Sequence, residues 1–121
     1  MAKYIMIAMG GASGAVLRFL VSGVFYDPAD NAFPWGTLIV NGLGSLLLGV
    51  FLGFSPEQDR AYFFLVVGLL GAFTTFSTFS YETIHLLRMA AVNTALINIA
   101  ANVVVSLSAV LGGYYFSGLL R

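Results

Sequence analysis

Apolar residues run along this chain in four long stretches, about 4–25, 35–54, 61–87 and 94–120, parted by short polar connections. Each stretch reaches the roughly 20 residues that a helix needs to cross about 30 Å of hydrocarbon. Helices are the natural form for such runs, because lipid cannot hydrogen-bond loose backbone groups. The connection Tyr26-Asp27-Pro28-Ala29-Asp30-Asn31-Ala32-Phe33-Pro34 holds two prolines and two acids and ends the first run. Ser55-Pro56-Glu57-Gln58-Asp59-Arg60 is a polar turn, and 88–93 parts the third run from the fourth. Trp35 opens the second span as an interfacial aromatic, and Tyr114 and Tyr115 lie near the far end of the fourth. The pattern predicts an all-α membrane protein, one domain of four transmembrane helices.

Composition agrees. Of 121 residues 60% are hydrophobic and 8% charged, where soluble domains carry about a quarter charged. Five basic residues balance five acidic ones, which leaves no basic stripe for nucleic acid. With no cysteine there is no disulfide and no thiolate metal site. The first run continues past Arg18 to Phe25 with no small-x-small site after it, so it reads as a retained helix rather than a cleaved signal. Four spans put Lys3, Arg60 and Arg121 on one side and Arg88 on the other. That bias favours cytoplasmic termini, and its slightness also suits a chain that inserts both ways.

Small residues at four-residue spacing mark helix faces that pack closely: Gly10, Gly14 and Arg18 on the first helix, Asn41, Ser45, Gly49 and Gly53 on the second. The polar groups inside the spans ask for more. Arg18 could snorkel to the near end of its helix or pair structurally; alternatively it is a fixed positive charge at the mouth of a wet cavity. Thr74-Thr75-Phe76-Ser77-Thr78-Phe79-Ser80 follows Gly68 and Gly71 and places five hydroxyls in seven positions. One or two such groups are absorbed by back-bonding in a helix; five beside glycine point to a helix broken mid-membrane, tolerable only within protein or beside a cavity. On the fourth helix Asn98, Asn102 and Ser106 recur every four residues. They either bond helix to helix or form a ladder of donors for an ion. Glu82 could reach the interface, pair with Arg18 or line a vestibule, and His85 reads as interfacial. With no nucleophile and base set, no metal cluster and no phosphate loop in the sequence, an enzyme is not expected. Gly10-Gly11-Ala12-Ser13-Gly14 follows no strand and is not a dinucleotide fingerprint.

Gly14-Ala15-Val16-Leu17-Arg18, Gly36-Thr37-Leu38-Ile39-Val40-Asn41 and Gly71-Ala72-Phe73-Thr74-Thr75-Phe76-Ser77-Thr78-Phe79-Ser80 resemble the Fluc (CrcB-type) fluoride channels, in the same order across all four spans. The third stretch is the specific one; Ala72 stands where members often carry a second glycine. The resemblance implies a homodimer of two chains inserted in opposite orientations in the inner (plasma) membrane, with two fluoride pathways that passively export cytoplasmic fluoride. It implies Asn41 as a pore donor, Phe76 and Phe79 as the aromatic pair facing the ion, and Asn98, Asn102 and Ser106 as the fourth-helix track. Thr75, Ser77 and Thr78 join the pathway, Arg18 matches the first-helix arginine, and the backbone carbonyls of Gly71 and Thr74 match the ligands of a structural sodium ion. The chemistry is consistent. Fluoride needs hydrogen-bond donors, which amides and hydroxyls supply, and the positive edges of phenyl rings suit an anion. The competing reading, a small proton-coupled multidrug exporter, needs an acid in the first helix, where this chain has Arg18.

Overall fold

A computed structural model describes residues 1–27, 29, 31–54 and 58–120. Pro28, Asp30, the Ser55-Pro56-Glu57 part of the second connection, and Arg121, which entered the charge count, lie outside the described residues. The helices are α1 (Ala2–Val24), α2 (Trp35–Gly53), α3 (60–73), α4 (Phe76–Arg88) and α5 (Val92–Leu119). α3 and α4 form one membrane-length span, Arg60–Arg88, and with α1, α2 and α5 make, among the described residues, four helices long and apolar enough to cross a bilayer.

Local chemistry sets the helix ends. Asp59 caps α3, its Oδ1 accepting the Tyr62 N–H at 2.9 Å. Within α3, Phe63–Leu70 winds as a π-helix, a wider coil that no residue pattern in the sequence announces. α4 ends in a Schellman motif: the Ala91 N–H donates to the Leu86 carbonyl at 2.9 Å and the Ala90 N–H to Leu87 at 3.1 Å. The left-handed residue is Ala90, φ 57°, so this tight turn forms without the usual glycine. Ala90→Gly should therefore raise the thermal stability of the detergent-solubilised protein by about 0.5–1 kcal/mol; a lower melting temperature would remove that account.

The interior inverts the soluble pattern. The buried side chains include Thr37, Thr75, Thr83, Asn98, Asn102 and Ser117, while large apolar residues such as Phe19, Val104 and Leu107 face outward. Lipid solvates the outer surface, and without a hydrophobic drive between helices, close backbone approach and hydrogen bonds hold the bundle. α1 packs on α3 and α2 on α5, both through glycine. A methyl group added at Gly14 would strike the Leu69 carbonyl, and one at Gly68 would lie 2.7 Å from the Ile7 carbonyl oxygen. Between α2 and α5 the contact is reciprocal, Gly49 on the Val110 carbonyl and Gly113 on that of Leu46. The small-residue stripes of α1 and α2 thus face these two seams.

Candidate functional site

The third span is interrupted at Thr74 (φ −76°, ψ 156°) and Thr75 (φ −150°, ψ 117°), both extended, near the middle of Arg60–Arg88. Its hydroxyls restart the helix: Thr75 Oγ1 accepts the Thr78 N–H at 3.2 Å and donates to Thr78 Oγ1 at 2.9 Å, a capping interaction at the head of α4. Ser77 Oγ lies 3.3 Å from Thr75 Oγ1. The Thr74 hydroxyl bonds back to the Leu70 carbonyl at 3.2 Å.

The break diverts two amides from the helix ladder. The Thr75 N–H, which would bond the Gly71 carbonyl in a continuous helix, donates to Asn41 Oδ1 at 2.8 Å. The Thr78 N–H, which would bond the Thr74 carbonyl, goes to Thr75 Oγ1 instead. The carbonyls of Gly71 and Thr74 are thereby released from regular helix bonding. Gly71 is exposed at the protein surface. The Thr74 carbonyl faces Arg18, whose Nη1 approaches it at 3.5 Å, so Arg18 reaches inward to the break rather than toward the near end of its helix.

Asn41 closes the break from α2. Its Nδ2 donates to the Thr75 carbonyl at 3.1 Å and to Asn102 Oδ1 at 3.0 Å. Asn102 Nδ2 donates in turn to Asn98 Oδ1 at 2.9 Å and to the Asn98 carbonyl at 3.1 Å. Asn98 Nδ2 donates to Thr83 Oγ1 at 3.0 Å, and the Thr83 hydroxyl to the Phe79 carbonyl at 2.8 Å. Asn98 is completely buried and Asn102 nearly so. The α5 stripe therefore divides: its two asparagines bond helix to helix, while Ser106 is half-buried. Phe76 and Phe79 open α4 with ring centroids 5.4 Å apart and planes inclined at 56°; Phe76 is 78% exposed.

A cavity of about 530 Å³ opens beside the first connection and is lined by Phe19, Ser22, Thr37, Thr78, Tyr81, Glu82 and His85 among others. A smaller one of about 250 Å³ shares Phe19, Ser22, Thr37 and Thr78 with it and brings in Arg18 and Thr75. The two lead inward from the α1–α2 connection to the break. Glu82 takes Thr37 as its partner, the hydroxyl donating to Oε1 at 2.7 Å, and Oε2 is enclosed without a partner among the described residues. His85 stacks on Tyr81, centroids 6.2 Å apart. Sequence reasoning left out Thr37 and Thr83. Both were reachable by spacing, since Thr37 lies one helical turn before Asn41 and Thr83 one turn after Phe79.

Four membrane-length helices, one interrupted where hydroxyls, a released carbonyl and an arginine meet a cavity, define a multi-pass membrane protein with its polar chemistry at a helix break. The family model described as CrcB-like protein, Camphor Resistance (CrcB), matches residues 5–114. A Thermus thermophilus protein called fluoride-specific ion channel FluC is 41% identical over 123 aligned residues, covering 99% of this chain and 98% of its own. Relatives of the same name are 43% identical in Hydrogenovibrio crunogenus, covering 89% of this chain and 85% of their own, and 47% in Thermococcus kodakarensis, covering 89% of each. The chain belongs to the CrcB/FluC family.

Proposed function

We propose that this protein is a passive fluoride channel in the cell's inner membrane, built from two oppositely inserted copies, and not an enzyme. The observation that carries the reading is the convergence of Arg18, Thr75 and Thr78 on the inner cavity at the break. A cationic group and hydroxyl donors on a wet route into the membrane suit an anion, and family membership makes fluoride the anion. Electrical driving force suffices for export: a negative-inside potential of 100 mV is worth about 2.3 kcal/mol per charge.

Fluoride is small and strongly hydrated, so its path must replace water with donors and with little else. The Thr78 and Ser106 hydroxyls and the remaining N–H groups of Arg18 serve as donors, with Ser77 and Thr75 around them. Phe76 and Phe79 offer ring edges. Phe76 is turned outward, so a second copy must cover it for the path to be narrow and dry, and a two-fold pair is the commonest closure. Asn41, Asn98 and Asn102 enter the reading as the framework behind these donors. The carbonyls of Gly71 and Thr74 fit a structural sodium ion: hard cations take oxygen ligands, and both oxygens are released from the helix ladder. Two chains meeting at the break would offer four of them. The exporter reading is set aside, since the first helix carries Arg18 and the relatives are channels by name.

The deciding experiment loads liposomes containing the purified protein with fluoride or chloride and records efflux under a potassium diffusion potential. Rapid, potential-driven fluoride loss with little chloride loss is expected. Equal passage of both ions, or of neither, would reject the assignment. In the same assay Ser106→Ala should slow fluoride about threefold, the worth of one ordinary hydrogen bond. An unchanged rate would take Ser106 off the path.

A further inference from the structure

The amide chain behind the break has one polarity, and the backbone dictates it. A peptide N–H can only donate, so Asn41 must turn Oδ1 toward the Thr75 N–H. That leaves its Nδ2 facing the Thr75 carbonyl and Asn102. Asn102 must then present Oδ1 to Asn41 and Nδ2 to Asn98, and Asn98 must turn Nδ2 toward Thr83. The Thr83 hydroxyl hydrogen ends the relay on the Phe79 carbonyl. Amide orientations are normally assigned by such networks, and here every member follows from the first. The chain begins on the backbone of Thr75, just before α4, and ends on the backbone of Phe79, one turn inside it.

We propose that Asn41, Asn102, Asn98 and Thr83 form a positioning device: they fix the rotation and depth of α4 against α2 and α5, and so set the gap through which the Phe76–Phe79 face discriminates fluoride from larger halides. This rests on the fluoride reading above. Both Nδ2 bonds of Asn41 and of Asn102 are made within the protein, and Asn98 is completely buried. The physical case lies in the two anchor points. Thr75 and Phe79 bracket the first turn of α4, so tying both backbones to one hydrogen-bonded chain removes the freedom of that turn to roll. Phe76 and Phe79 sit on that turn. An isolated bond between helices in a membrane is weak, but a chain whose members orient one another is stiffer than its separate links.

The test exploits the polarity. Asn102→Asp is isosteric and still accepts from Asn41, but as a carboxylate it sets an acceptor against Asn98 Oδ1; once protonated, it donates there again. Asn102→Leu removes all three side-chain bonds at this position, to Asn41 and to Asn98, and titrates nowhere. In liposomes at about pH 8, both variants should elute in detergent as the wild type does. Both should lose about tenfold in fluoride flux, the factor a strong interhelical bond is worth, and more in fluoride-over-chloride selectivity. On stepwise acidification to about pH 4, the ordinary carboxyl range, with leak from protein-free liposomes subtracted at each step, Asn102→Asp should recover selectivity as it takes up its proton and Asn102→Leu should not. Arg18, Glu82 and His85 are common to wild type and both variants, so whatever they contribute enters all three alike. Thr83→Val, which cuts the far end of the chain and preserves shape, should lower selectivity about threefold and decides the matter if both Asn102 variants misfold. Wild-type selectivity in Thr83→Val, or pH responses of Asn102→Asp and Asn102→Leu that coincide, would overturn the proposal. A wild-type protein that passes no fluoride would instead sink the channel reading itself.

Discussion

A protein carrying Gly49→Val is expected to be lost as a folded species, expressed poorly and aggregating on extraction into detergent. The reason is the seam between α2 and α5, where Gly49 lies against the Val110 carbonyl and Gly113 against that of Leu46. A side chain at Gly49 would meet backbone, which has no rotamer to retreat into, so relief requires moving the helices apart. Separation would weaken the reciprocal contact at Gly113 and strain the Asn41–Asn102 bond bridging the same two helices. Overpacking alone costs about 1–3 kcal/mol, and a backbone clash with lost interhelical bonds should exceed it. Gly112→Ala is the control. It neighbours Gly113, yet an added methyl there meets nothing within 4 Å, so it should gain up to about 1 kcal/mol of helix propensity. If size-exclusion profiles and melting curves of the two variants match, close backbone approach is not what holds this seam.

Phe79→Ile should leave a folded, membrane-inserted protein whose fluoride flux falls about tenfold or more, a barrier change of at least about 1.4 kcal/mol. Isoleucine keeps bulk and apolarity while removing the positively polarised ring edge. It also removes the partner that fixes the Phe76 ring, 5.4 Å away. The Thr83–Phe79 bond uses the backbone carbonyl and survives the change, so the placement of α4 should persist. That separates loss of the ring from loss of its support. Efflux from liposomes measures the first, and near-wild-type elution with an unaltered melting temperature checks the second. Full flux in Phe79→Ile would leave the ring edges without a part in permeation.

How much of this was open to reading from residue order differs by feature, and the break shows the boundary well. Crowded hydroxyls between 74 and 80 pointed to an interrupted helix, because Thr and Ser compete locally for backbone groups, and Thr75 does cap the new helix. The use of the three asparagines stayed ambiguous between ladder and glue. Each side chain can serve either purpose, and spacing along one helix cannot say which residue stands opposite. Arg18 was open between snorkelling, pairing and a cavity mouth for the same reason; its contact with Thr74 spans 56 positions.

The chain alone determined the number of helices, their approximate limits, the place where the third is interrupted and the faces meant to pack. Those are local properties, set by the length of apolar runs, by residues one turn apart and by hydroxyls near their own backbone. The tertiary structure decided which glycine meets which carbonyl, which way each amide points, what Arg18 touches and how Glu82 is held by Thr37. Those depend on pairings across 34, 45, 56 and 61 positions, where the energy of a contact exists only after two helices have come together.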